Sequence, residues 1–533
     1  MNSSPPSPAA ESRDRCAVYS DILPEVSSPE DIRKHARTRR TVAIISHPDA
    51  GKTTLTEQLL QHTGSINKAG SVHGKAGRKA TVTDWMAIEQ ERGISVASSA
   101  VRLQAGDVII NLLDTPGHGD FSEDTYRVLS AVDSAVMLLD AAKGIEPQTR
   151  RLFEVCRARN LPIITFINKI DRPAIDPLGI LDQVERELDL VPVPLNWPAG
   201  DPAGIGGIVH DGDRGDEVAT WPLTPLDPDE WAAAHDTLEL VAGSVGGFDE
   251  EQFLAGNLTP VLFGSAGRAF GVDHLVRALQ ELAPSPAPRL DETGEPREVE
   301  APFSAQVFKL QANIDQRHRD VAAFLRVCSG GFTRGDKVTI TRTGRPLVVS
   351  RAVEPFGQER DTVEEAWPGD VIVLPGSRDL RIGDTLHAGR SVQFPRITTF
   401  APSQFREVNN RDIARRKQFQ QGLSQLGDEG VVQVYVDPKV GMQRPVCAAV
   451  GNLQYEVFEH RMKAEFGVQI GYSQLPLAVS VAYSTENEGA PPRAGGMRIL
   501  ESTHGVVLLA FGSEWALENY RKDHPELVLN DIL

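Results

Sequence analysis

The segment Ser46-His47-Pro48-Asp49-Ala50-Gly51-Lys52-Thr53-Thr54 follows an apolar run from Thr41 to Ile45 and precedes a helical pattern that begins at Leu55. A strand that turns through a tight loop into a helix leaves the first N–H groups of that helix unpaired and aimed at one place, where an anion is held well. The residue types suit phosphate. Gly51 lets the backbone close on it, Lys52 reaches β and γ oxygens, and the Thr53 hydroxyl suits Mg²⁺. Ser46 departs from the usual pattern, which opens on glycine. A phosphate loop at the carboxyl end of a buried strand commits this part of the chain to an α/β sheet.

Three further motifs close apolar runs in the order that such a sheet requires. Asp114-Thr115-Pro116-Gly117-His118 ends the run 108–113, where an aspartate stands behind a metal ion and a glycine offers its N–H to a γ-phosphate. Asn168-Lys169-Ile170-Asp171 ends the run 161–167; the Asp171 carboxylate can accept from both N1 and N2 of guanine, a donor pair that adenine lacks. Gly264-Ser265-Ala266 ends the run 260–263, and a backbone amide there is expected to meet the guanine O6. Between the first two motifs lies Glu91-Arg92-Gly93-Ile94-Ser95, with Ser95 as a second hydroxyl for Mg²⁺. The glycine- and lysine-rich stretch 64–79 before it reads as a segment that orders only while the γ-phosphate is present.

Strand-like runs at 41–46, 107–114, 134–140, 161–169 and 260–264 alternate with helical stretches near 53–62, 121–131, 148–159, 178–189 and 272–283. That alternation predicts a doubly wound α/β domain over 37–283, with an insertion near 191–250 rich in Gly, Pro and Asp. Residues 1–36 read as a disordered, Ser/Pro-rich tail, and 284–300 as a semi-rigid linker that opens on Pro284-Ser285-Pro286-Ala287-Pro288. Gly-Asp turns at 335–336, 369–370 and 383–384 between β-branched runs predict a small β-barrel over 301–398. From 399 to 533, helices near 410–426 and 453–466 alternate with strands at 432–437, 444–450 and 477–483, an α+β module without a catalytic set.

With a net charge of −18, the chain is not expected to coat nucleic acid indiscriminately. Local basic patches at 411–417 and at Arg317-His318-Arg319 remain candidate docking points. Cys16, Cys156, Cys328 and Cys447 lie far apart without metal-ligand spacing, as reduced cytoplasmic thiols do. No run of residues is long and apolar enough for a membrane span, and a cytoplasmic monomer is expected.

Taken together, the loop 46–54, Arg92-Gly93-Ile94-Ser95, Asp114-Thr115-Pro116-Gly117-His118 and Asn168-Lys169-Ile170-Asp171 resemble the translational GTPases, and among them the factors of termination. Thr83-Asp84-Trp85-Met86, the run 120–127 and Phe308-Lys309-Leu310-Gln311-Ala312-Asn313 add to the likeness, whereas Gly119 departs from it. The resemblance implies GTP and GDP as ligands, Mg²⁺ held by Thr53 and Ser95 with Asp114 behind it, and His118 orienting the attacking water. It also implies the ribosome as partner, acting through ribosomal RNA and proteins at its factor-binding site and accelerating hydrolysis. The expected function is dissociation of codon-reading release factors after peptide release, by an indirect effect on them. The alternative is a translocase related to elongation factor G, for which 399–533 is expected to be too short.

Overall fold

The computed structural model describes residues 28–65, 98–200, 207–210, 217–218, 228–312, 321–355, 361–397, 401–438, 440–503 and 505–530. Ser95 and the rest of its motif, most of 64–79, Thr83-Asp84-Trp85-Met86, Arg317-His318-Arg319 and Cys16 lie outside them.

The first domain is a seven-stranded sheet built from Arg39–Ser46 (β1), Ser99–Ala105 (β2), Val108–Asp114 (β3), Ser134–Asp140 (β4), Ile163–Asn168 (β5), Val191–Pro194 (β6) and, after an excursion, Leu258–Phe263 (β10). The strand order is β2-β3-β1-β4-β5-β10-β6, parallel except at the β2 edge. Its central strands are covered on both faces, so they read as unbroken apolar runs; every residue of β4 and β5 is buried. The five strand runs and five helical stretches of the sequence reading all lie on elements of this domain, with Lys52–His62 (α2) following the loop.

Three boundaries differ from expectation. Residues 29–36, assigned to a disordered tail, fold as Pro29–Arg37 (α1). Ser28 caps it by accepting from the Asp31 N–H at 3.1 Å, Pro29 begins it, and Ile32 and Ala36 are buried. The stretch 191–250 opens with β6, a strand of the main sheet. It continues with Asn196–Ala199 (β7), Gly207–His210 (β8) and Glu217–Val218 (β9), paired antiparallel, and the helix Pro228–Ser244. Trp197, Ile208, Val209, Ala234 and Leu238 bury into the same core as the central strands. The expected linker 284–300 holds a short antiparallel pair and is docked: the Arg289 guanidinium donates to the Ser130 carbonyl at 2.8 Å.

The second domain is a six-stranded antiparallel sheet between Ser304 and His387 with a two-stranded ribbon, 332–333 with 365–366, sharing its core. It does not float on the linker. Phe308, Ala322, Phe324, Val371 and Val373 join the core beneath Val128, Leu129 and Val132 of the first domain. The Gly369 carbonyl accepts from Thr41 Oγ1 at 2.7 Å, Asn111 Nδ2 at 3.0 Å and Arg326 Nη1 at 2.8 Å, while Arg39 pairs with Asp370 at 2.9 Å. Gly369 has φ +100°, and a Cβ there would fall 2.6 Å from Pro286.

The third domain is an eight-stranded sheet with helices Arg416–Asp428, Asn452–Phe466 and Glu514–Asp523. The predicted helices and strands are present. The sequence reading passed over Gln404–Asn410, Ile470–Gln474, Arg498–Ser502, Val507–Phe511, Leu529–Asn530 and the last helix, whose Trp515 is exposed.

Candidate functional site

The four predicted motifs among the described residues, 46–54, 114–118, 168–171 and 264–266, converge on the carboxyl edge of the sheet. The parallel register aligns Ile44 with Asp114 and Asp140 with Asn168, so the loops that follow these strands open on one side. The loop after β1 contains two left-handed residues, Asp49 at φ 67° and Gly51 at φ 98°, before Lys52 enters the helix. Lys52 Nζ lies 2.8 Å from the Asp114 carboxylate, and the two side chains are 7% and 4% exposed. A pair this dry carries a large desolvation cost. The Ser46 hydroxyl is buried with no hydrogen-bond partner among the described residues. Thr53 is half-buried at the mouth of the loop and Thr54 is exposed.

The second motif leans on the first. Thr115 Oγ1 donates to the Ile44 carbonyl at 2.7 Å, and Gly117 lies against the backbone of Pro48. His118 follows, its side chain 39% exposed and its Nδ1 accepting from the Asp120 N–H at 3.2 Å. With Nδ1 accepting, the neutral ring carries its proton on Nε2.

Asn168 is the knot of the site. Its Nδ2 donates to the Ala50 carbonyl at 2.8 Å and its Oδ1 accepts from the Ala266 N–H at 2.8 Å, so one buried amide joins the phosphate loop to the last motif. A Cβ at Gly51 would stand 2.5 Å from that Nδ2, which makes glycine necessary for space as well as for φ. Lys169 Nζ donates to the Asp49 carbonyl at 2.5 Å and to Asp140 at 2.7 Å. Burial works against the Asp140 charge, yet the Lys169 bond and the Ala142 N–H hold its carboxyl below the usual range. Asp171 accepts from Ser265 Oγ at 2.6 Å and faces Arg268 at 3.4 Å, so its carboxylate is held in place from both sides.

The amides of Gly264, Ser265 and Ala266 are all engaged within the protein, by the Ile167 carbonyl, the Phe270 carbonyl and Asn168 Oδ1. Each of these amides thus has a partner within the protein. Several contacts escaped the sequence reading because the partners are remote in the chain. Asn196 on β7 brackets the end of β10, accepting from the Phe263 N–H at 2.7 Å and donating to its carbonyl at 3.1 Å. His47 meets Glu146 and, at 3.1 Å, Lys143; burial lowers its pKa against the pull of Glu146. Lys309 of the second domain donates to the Ser98 carbonyl, whose N–H in turn reaches Asp124 at 2.6 Å. Of the two basic patches, 411–417 is exposed except for Asp412, with Arg415 partly tied to that residue.

Family models agree with this division of the chain. Residues 37–285 match the elongation factor Tu GTP binding domain and 302–389 match elongation factor G domain 2. A crystal structure of a Thermus thermophilus protein superposes with a TM-score of 0.68 over 87% of this chain and 73% of that one, at 22% identity, a likeness of fold. With these two domains in this order, the chain is a translational GTPase. Residues 394–521 match the class II release factor RF3 C-terminal domain. Peptide chain release factor 3 of Synechococcus elongatus is 43% identical over 94% of both chains, that of Symbiobacterium thermophilum 42% over 94% and 98%, and that of Bordetella pertussis 46% over 82% and 85%. The chain belongs to the peptide chain release factor 3 family, the GTPases of translation termination. Nothing in these matches supports the translocase alternative. No helix among the described residues is long and apolar enough to cross a membrane.

Proposed function

We propose that the chain uses GTP on the ribosome to dislodge the codon-reading release factors after the peptide has been freed, acting on them indirectly, as a cytoplasmic monomer. In this reading Ser46, His47, Pro48, Asp49, Ala50, Gly51, Lys52, Thr53 and Thr54 wrap the phosphates. Asn168, Lys169, Ile170 and Asp171 with Gly264, Ser265 and Ala266 enclose the guanine, and Asp171 reads its N1 and N2 donors. The orphaned Ser46 hydroxyl, the left-handed turns at Asp49 and Gly51 and the dry Lys52–Asp114 pair fit a polyphosphate with a divalent cation. No group of three or more His, Cys, Asp or Glu among the described residues is placed to hold a metal. Mg²⁺ takes few protein ligands and completes its shell with phosphate oxygens and water. Thr53 and Ser95 would hold it, with Asp114 behind them. Once bound, Mg²⁺ neutralises charge on the β- and γ-phosphates.

Hydrolysis proceeds by in-line attack of water on the γ-phosphorus, giving GDP and phosphate. Lys52 neutralises the developing charge, the Gly117 amide faces the γ-phosphate, and His118 orients the water. No arginine in these motifs is an obvious finger for the γ-phosphate, so hydrolysis is slow until the ribosome completes the site. The observation that carries the mechanical half of this reading is the docking of the third domain on residues directly after His118. Asp120 accepts from the Leu453 N–H at 2.8 Å, Phe121 packs on Val457, and Arg127 donates to the Glu429 carbonyl at 3.2 Å. A γ-phosphate that shifts this segment biases the position of that domain. The test is a purified termination assay following departure of a labelled release factor. Departure is expected with GTP and not with GDP; equal departure with both would refute the reading.

A further inference from the structure

The helix Asn452–Phe466 of the third domain begins without a cap of its own. Its N-cap residue is Gly451, which has no side chain, and Gln454 turns back to accept from the Val450 and Gly451 N–H groups at 2.8 and 3.3 Å. The oxygen that such a position ordinarily supplies comes from another domain: Asp120 Oδ2 accepts from the Leu453 N–H at 2.8 Å, a carboxylate at the positive end of the helix. Gly451 is what lets it approach. A Cβ there would lie 2.0 Å from the Asp120 carboxyl carbon, yet the backbone at φ −142°, ψ 171° is ordinary extended geometry that alanine adopts freely. The same Asp120 donates its backbone N–H to His118 Nδ1 at 3.2 Å. One residue therefore holds a helix of the third domain with its carboxylate and the catalytic imidazole with its amide. Phe121, packed on Val457 with Leu453 and Val431 alongside, fixes the short 3₁₀ turn between the two bonds.

We propose that Asp120 is a positioning residue for GTP hydrolysis. By capping the helix Asn452–Phe466 across the domain boundary it pins the turn 119–121, and the pinned turn keeps His118 in one orientation with its proton on Nε2, aimed outward. Docking of the third domain thereby reaches the hydrolytic centre through a chain of two hydrogen bonds: Leu453 N–H to the Asp120 carboxylate, and Asp120 N–H to His118. The inference rests on the reading of His118 as the residue that orients water.

Single-turnover hydrolysis on ribosomes tests it in the full-length protein, with two perturbations from opposite sides of the boundary. Asp120→Ala removes the cap oxygen, and Gly451→Ala leaves the first domain untouched and drives the carboxylate away. Each is expected to lower the ribosome-stimulated rate constant about tenfold with nucleotide affinity and the ribosome concentration for half-maximal rate unchanged, because a misplaced positioning group acts on the chemical step. Asp120→Asn keeps an acceptor for Leu453 and is expected to recover most of the rate. The decisive comparison is made in a His118→Ala background, where Asp120→Ala and Gly451→Ala are expected to have no further effect. Rates within twofold of wild type in both single variants, a rate increase, or losses that persist in full without His118 would overturn the proposal. If His118→Ala itself leaves hydrolysis unchanged, the reading of His118 falls first, and the Asp120 and Gly451 results then report domain docking only.

Discussion

Replacing Asn168 with alanine cuts two buried hydrogen bonds at once and leaves the Ala50 carbonyl and the Ala266 N–H without their partner. A net contribution of about 1 kcal/mol for each bond makes the loss about 2 kcal/mol, more if the two orphaned groups stay dry. Neither bond involves the γ-phosphate side of the site, so the loss falls on any guanine nucleotide alike. Dissociation constants for GTP and GDP are both expected to rise about 30-fold, the equivalent of ~2 kcal/mol. Titration with a fluorescent guanine nucleotide measures this directly. Asn168→Asp keeps an acceptor for Ala266 but sets a carboxylate oxygen against the Ala50 carbonyl, and it is expected to bind no better than the alanine variant. Affinities within threefold of wild type, or a loss confined to GTP, would refute the idea that this amide binds the two loops into one site.

Asp171→Asn is expected to weaken GTP by roughly 1.5–3 kcal/mol and to favour xanthosine nucleotides, whose C2 carbonyl accepts from an amide; competition binding with the two nucleotides reads it. His118→Ala is expected to leave nucleotide affinity near wild type and to remove most ribosome-stimulated hydrolysis, whereas Lys52→Ala damages binding itself; paired equilibrium and turnover measurements separate the two. His35 stacks on Trp367 with ring centroids 4.0 Å apart, and burial, then the Arg39 charge, lowers its pKa below 6.5. The unfolded chain therefore binds this proton more readily, so the stabilisation is fully present above pH 6.5 and is lost as the pH falls below it. Thermal unfolding followed from pH about 7.5 to about 5.5 is expected to show a smaller decline in His35→Phe than in the natural protein.

The sequence by itself placed the nucleotide edge, because each of its motifs is local. A phosphate loop needs its glycine, lysine and hydroxyl at fixed offsets on one turn, and a buried parallel strand needs an unbroken apolar run, so 46–54, 114–118, 168–171 and 264–266 were legible with their flanking strands. The same reading made a tail of 29–36, where the Ser- and Pro-rich text before it hid a capped helix with only two buried side chains. It also read 284–300 as a spacer between separate units. Only the tertiary structure decided that the first two domains share a core, since Phe308, Phe324, Val371 and Val373 look in sequence like any barrel residue. Nor do composition and period say that Asn196 brackets a strand end 67 residues away, or that Asp120 caps a helix 333 residues downstream. Hydrogen bonds of that separation leave no periodic trace in the chain. They are set by where packing brings two backbones together, and at Gly369 and Gly451 that depends on the absence of a side chain.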